Sequence, residues 1–140
     1  MLDQTDIRRI RTGFARIKCA PDALTRDFYE RLFRAAPDVR PMFPDDIRRQ
    51  AGKLQKMLAL VVQTLDDLDA LIPQLRALGA RHVGYGTADA QYAVVGEVLI
   101  DTLAAHIPGW SDDDRRAWTA LYGLATAAAL EGAAEARAAG

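Results

Sequence analysis

An all-α fold follows from three features of this 140-residue sequence. Apolar residues recur at steps of three and four through most of its length, no segment alternates strictly between apolar and polar, and the prolines and glycines that interrupt the pattern cluster at a few points. Six or seven helices of unequal length, broken by a Pro-rich corner and a Gly-rich loop, suit an irregular helical sandwich better than an up-and-down four-helix bundle. The length fits one domain over residues 1–140, enough to bury roughly two thirds of the surface of the unfolded chain.

Ile7, Ile10, Phe14 and Ile17 share one face of a first helix, expected from about Thr5 to Cys19. Pro21 suits the first turn of a second helix, because its missing amide hydrogen would be unpaired there anyway. Leu24, Phe28, Leu32 and Phe33 form its stripe, and it should stop near Pro37. Residues Asp38 to Asp46 contain Pro41 and Pro44 and read as a tight corner, with Asp45 or Asp46 placed to cap the helix that carries Ile47, Ala51, Leu54, Leu58, Val61 and Leu65. A shorter helix is expected from about Ala70 to Leu78, with Pro73 in its first turn and Gly79 ending it, before a loop marked by Gly84 and Gly86. Ala88 to Ile107 carries the next stripe, closed by Pro108-Gly109. The last helix begins at Ser111, whose hydroxyl can accept from the Asp114 amide, and the Ala/Gly/Glu tail after Glu131 should fray.

Composition excludes several functions. With 50% hydrophobic and 26% charged residues the chain is neither disordered nor membrane-like, and a net charge of −1 leaves no basic excess to neutralise a row of phosphates, so no nucleic-acid partner is expected. The opening Leu-Asp-Gln-Thr-Asp has no basic, apolar leader and the apolar runs are short, so a cytoplasmic protein with no membrane span is expected. Cys19, alone, offers neither an internal disulfide nor a thiolate cluster.

Only two histidines, His82 and His106, are available for metal or acid–base chemistry. His82 lies at the C-terminal edge of an amphipathic helix, where a preceding carbonyl can accept the proton of one ring nitrogen while the other points into the core. That is the geometry of a neutral metal ligand; a capping or surface histidine is the plainer alternative. His106, followed by Ile-Pro-Gly, reads as a capping or solvated residue without a functional role.

Six segments taken together carry more. FYERLF (28–33), PDVRPMF (37–43), RQAGKL (49–54), LGARHVGYG (78–86), QYAVVGEVL (91–99) and AWTALYG (117–123) resemble, in order and over essentially the whole chain, the globin domain of flavohaemoglobins and the single-domain bacterial haemoglobins of that group. The resemblance implies a globin fold around haem b, with His82 as the proximal iron ligand and Phe43 packed on the haem face. It places Tyr29 and Gln50 as the distal, catalytic pair and Leu54 one turn further into the pocket. Lys53 and Arg81 fall where a rim cation could reach a haem propionate. Tyr92 matches the tyrosine that backs the proximal histidine, but Ala133 stands where a companion glutamate is expected. Glu131 and Glu135 are each two residues off, roughly 200° around a helix.

The function implied is binding of O2, NO and CO at ferrous iron, with nitric oxide dioxygenase capability if an outside reductase supplies electrons. Oxygen storage, delivery or scavenging by the same residues is the alternative. A gas sensor and a haem-free interaction domain on the same scaffold are further readings.

Overall fold

The computed structural model describes residues 2–18, 22–84 and 90–139. Among the described residues there are six α-helices: α1 (Gln4–Ala15), α2 (Ala23–Ala35), α3 (Arg48–Gln63), α4 (Leu68–Gly84), α5 (Gln91–His106) and α6 (Asp112–Ala139). A 3-10 helix, Pro37–Met42, joins α2 to α3, and the described residues include no strand. None of the described helices is long and apolar enough to cross a membrane.

Local chemistry sets the helix ends. Asp3 caps α1, its carboxylate accepting the Asp6 amide at 2.8 Å while Asp6 accepts the Asp3 amide in return. At the other end the Arg16 amide turns to the Gly13 and Phe14 carbonyls, so α1 closes at Ala15, before the expected end at Cys19. Cys19 and Pro21 lie outside the described residues, as does Gly86. The Pro-rich corner is more regular than expected: Pro37 and the first five residues of the corner wind into the 3-10 helix, and Asp46 accepts the Arg48 amide at 3.1 Å where α3 begins. Ser111 and Asp114 cap α6 reciprocally, with the Ser111 amide 2.8 Å from the Asp114 carboxylate and the Asp114 amide 3.3 Å from the Ser111 hydroxyl.

Two expectations about glycine fail for one reason. Helix α4 does not end at Gly79 but runs on to Gly84, and α6 does not fray after Glu131 but runs to Ala139. At Gly79 an added Cβ would collide with the Ala129 carbonyl, and at Gly132 with the Arg76 carbonyl. These glycines let the backbones of α4 and α6 touch; they are not stop signals. Pairing Gly79 with Ala129 and Gly132 with Arg76 makes the two helices antiparallel. Buried Ala128, Ala129 and Ala133 line the seam, and Arg76 bonds to Glu131 at 2.8 Å and to Glu135. Because α4 starts at Leu68, Pro73 stands in its second turn instead of its first.

The core gathers around Ile10, Leu24, Leu71 and Leu103, all essentially without solvent contact. Thr25 of α2 donates its hydroxyl to the Ala51 carbonyl of α3 at 2.9 Å, which fixes those two helices where they carry Tyr29 and Gln50.

Candidate functional site

A cavity of about 370 Å³ opens between α2, α3, α4, α5 and α6, within the size range of small-molecule and cofactor sites. Its lining includes Tyr29, Phe43, Gln50, Lys53, Leu54, Arg81, His82 and Tyr92, so all eight residues singled out from the sequence meet there. Most of the remaining wall is apolar, with Phe28, Leu58, Val61, Leu99, Leu103 and Trp118 among its residues.

Tyr29 is buried on α2, and its side chain hydrogen-bonds that of Gln50 on α3. Burial pushes its hydroxyl above the usual phenol range and the bond to Gln50 only partly opposes this, so Tyr29 is a neutral donor at physiological pH. Its ring stands edge-on to Phe43, with centroids 5.5 Å apart, and tilts against Phe33 at 6.0 Å; Phe33 and Phe43 are 5.4 Å apart. Gln50 and Leu54, one turn apart on α3, bring a polar and an apolar group to the same wall.

His82 sits in the last turn of α4, still inside the helix. Its Nδ1 lies 2.7 Å from the Leu78 carbonyl, which selects the tautomer with the proton on Nδ1 and leaves Nε2 as the basic nitrogen. The Tyr92 ring is 6.1 Å away, centroid to centroid. Lys53 and Arg81 are exposed residues of the cavity wall.

The register of α4 on α6 alters one expectation. Ala133, the residue in the place of a companion glutamate, is 1% exposed and lies at the Arg76 end of the seam. Arg76 precedes His82 by six residues, about 9 Å along a helix. Thr126 and Ala129, not Ala133, share the cavity wall with His82. Glu131 and Glu135 bond to Arg76.

Three contributions escaped the sequence reading. Tyr122 of α6 donates its hydroxyl to the Tyr92 carbonyl at 2.5 Å and lays its ring over Gly96, where a Cβ would come within 2.5 Å of Cε2. Its place four residues after Trp118 marked only a core position. His106, expected to be a cap or solvated, bonds through Nε2 to the Asp27 carboxylate of α2 at 2.8 Å, a pairing across 79 residues that no local pattern signals. Arg40, a lone cation in the Pro-rich corner, clasps the chain around Phe43.

Comparison with known proteins agrees with this architecture. The family described as Globin matches residues 26–129. The chain is 29% identical over 126 residues to a flavohemoprotein of Vibrio cholerae, an alignment covering 87% of this chain and 32% of that protein. It is 31% identical over 117 residues to an anaerobic nitrite reductase of Oryza sativa subsp. indica, covering 79% of this chain and 81% of the relative. The chain thus spans about a third of the flavohemoprotein's length. Among solved structures, a bacterial globin from Campylobacter jejuni superposes with a TM-score of 0.82 at 19% identity, covering 95% of this chain and 97% of that one. An engineered carbene transferase from Rhodothermus marinus does so with a TM-score of 0.87 at 21% identity, covering 99% and 98%. With the family match spanning most of the chain and the helices arranged as in these solved structures, the chain belongs to the globin family.

Proposed function

We propose that the cavity holds haem b with His82 as the iron's protein ligand, and that the protein binds diatomic gases there. The observation that carries this reading is the convergence of the eight residues on one largely apolar cavity with a single imidazole in its wall. The donor set fits the group: apolar and aromatic side chains suit the porphyrin faces, and Lys53 and Arg81 suit two propionates. The bond to the Leu78 carbonyl orients the His82 imidazole with its proton on Nδ1, which leaves Nε2 as the nitrogen for the iron. Haem supplies an iron atom that binds dioxygen, nitric oxide or carbon monoxide and exchanges an electron with them. Tyr29 and Gln50 would donate hydrogen bonds to a diatomic ligand held in the cavity, and the apolar wall around them would exclude water.

With a flavin reductase as electron donor, the same site supports nitric oxide dioxygenation, in which one nitric oxide, one dioxygen and one electron give nitrate. A second reading, reduction of nitrite to nitric oxide and water with two protons and one electron, is favoured by the similarity to the rice nitrite reductase, which aligns over 79% of this chain and 81% of its own length. Rapid mixing of the oxygenated protein with nitric oxide, against anaerobic mixing of the reduced protein with nitrite, separates the two by which reaction is fast.

The prior test is haem uptake. Reconstituted wild-type protein should show a haem absorption spectrum, and His82→Ala should lose stable binding while His106→Ala keeps it. A His82→Ala protein with an unaltered ferrous spectrum would refute the assignment.

A further inference from the structure

We infer that Arg40 is a positioning residue for the Tyr29–Gln50 donor pair. It lies in the 3-10 helix, just before the chain turns from Phe43 into α3. One guanidinium nitrogen donates to the Phe43 carbonyl at 3.3 Å and the Pro44 carbonyl at 3.0 Å, and the other to the Asp45 carbonyl at 3.0 Å. The same planar group stands 4.7 Å from the Phe33 ring centroid. Three successive carbonyls of a non-helical segment therefore share one cation, which also presses on α2 through Phe33.

The consequence falls on Tyr29, whose ring is wedged against both Phe33 and Phe43. The clasped segment leads directly into the first turn of α3, where Gln50 meets the Tyr29 side chain. Arg40 thus fixes at once the aromatic wall behind the tyrosine and the entry of the helix that carries its partner. A lysine cannot span three carbonyls and stack on a ring together.

This inference rests on the proposed gas-binding role of Tyr29. The test is the dioxygen dissociation rate of the haem-loaded protein in a double-mutant cycle of Arg40→Met and Tyr29→Phe, with Arg40→Lys as a milder variant. Arg40→Met should speed release about 3- to 10-fold when Tyr29 is present and less than about twofold in the Tyr29→Phe background, with Arg40→Lys in between. An equal effect of Arg40→Met in both backgrounds, or none where Tyr29→Phe alone speeds release, overturns the positioning role and leaves the function of Tyr29 standing. A Tyr29→Phe protein with the wild-type rate overturns the role of Tyr29 and this inference with it. Should Arg40→Met not take up haem, the same cycle with Arg40→Lys decides by the same criterion.

Discussion

Replacing Gly79 by alanine tests whether α4 is held against α6 by backbone contact. In an ordinary helix interior the substitution stabilises by about 1 kcal/mol, because alanine loses less backbone freedom on folding. Here the new Cβ would overlap the Ala129 carbonyl, carbonyl carbon and Cα, which are backbone atoms that no rotamer change can move. Overpacking of this kind costs about 1–3 kcal/mol, and a rigid neighbour puts Gly79→Ala at the upper end. The net expectation is a loss of about 2 kcal/mol, or about 6–10 °C in melting temperature for a chain of this size. Gly52 on α3 supplies the control: a Cβ there meets nothing within 4 Å, so Gly52→Ala should gain about 0.5–1 kcal/mol. Thermal unfolding followed by circular dichroism, at one pH and one haem occupancy, reads both. If Gly79→Ala melts as high as Gly52→Ala, the close approach of the two helices is wrong, and with it the account of why α4 continues to His82.

Two further outcomes follow from the same seam and from its counterpart across α2 and α5. Ala133→Glu should destabilise by about 2–4 kcal/mol, since it forces a carboxylate into the packed α4–α6 interface, and it should leave the iron–histidine stretching frequency of haem-loaded ferrous protein unchanged. A raised frequency in resonance Raman would show that residue 133 reaches His82. At Asp27, burial pushes the carboxyl up, but bonds from His106 and Arg31 outweigh it and hold the group below its ordinary value of 3.8. A depressed carboxyl stabilises the fold above the unfolded value, and that contribution disappears as pH falls through the lower folded value. Asp27→Asn should therefore lower stability by about 0.5–1 kcal/mol near pH 6, and the deficit should shrink as the pH is brought down below 3.8. A deficit that persists unchanged at pH 2 would assign the effect to packing.

The sequence made the helix count and the cavity residues legible because both rest on local periodicity and on strings of residues in order. The stripe of α2 delivered Leu24, Phe28 and Leu32 to the interior, the resemblance alone singled out Tyr29 beside them, and the four-residue spacing of Gln50 and Leu54 put both on one wall. Where the reading failed, the deciding contact was distant in sequence. His106 looked solvated because its partner, Asp27, is 79 residues away. Arg40 looked like an ordinary corner residue because its acceptors are backbone carbonyls, which every residue has and which pattern cannot distinguish.

Glycine gives the sharpest case. Gly79 and Gly132 carry the same local signature as a helix terminator, and propensity alone favours ending α4 and letting the tail of α6 fray. What reverses that preference is a contact neither segment can express by itself: each glycine sits where the facing helix presents a backbone carbonyl. The two segments are legible only as a pair, small residues on α6 answering the glycine of α4, with Arg76 tied to Glu131 and Glu135 at one end of the seam. Since His82 follows Gly79 by three residues, an α4 that stopped at Gly79 would leave the imidazole on a loop, without helical backbone to hold it over the Leu78 carbonyl. The tight seam and the oriented histidine therefore have a common cause, and a substitution that widens the first should disorder the second.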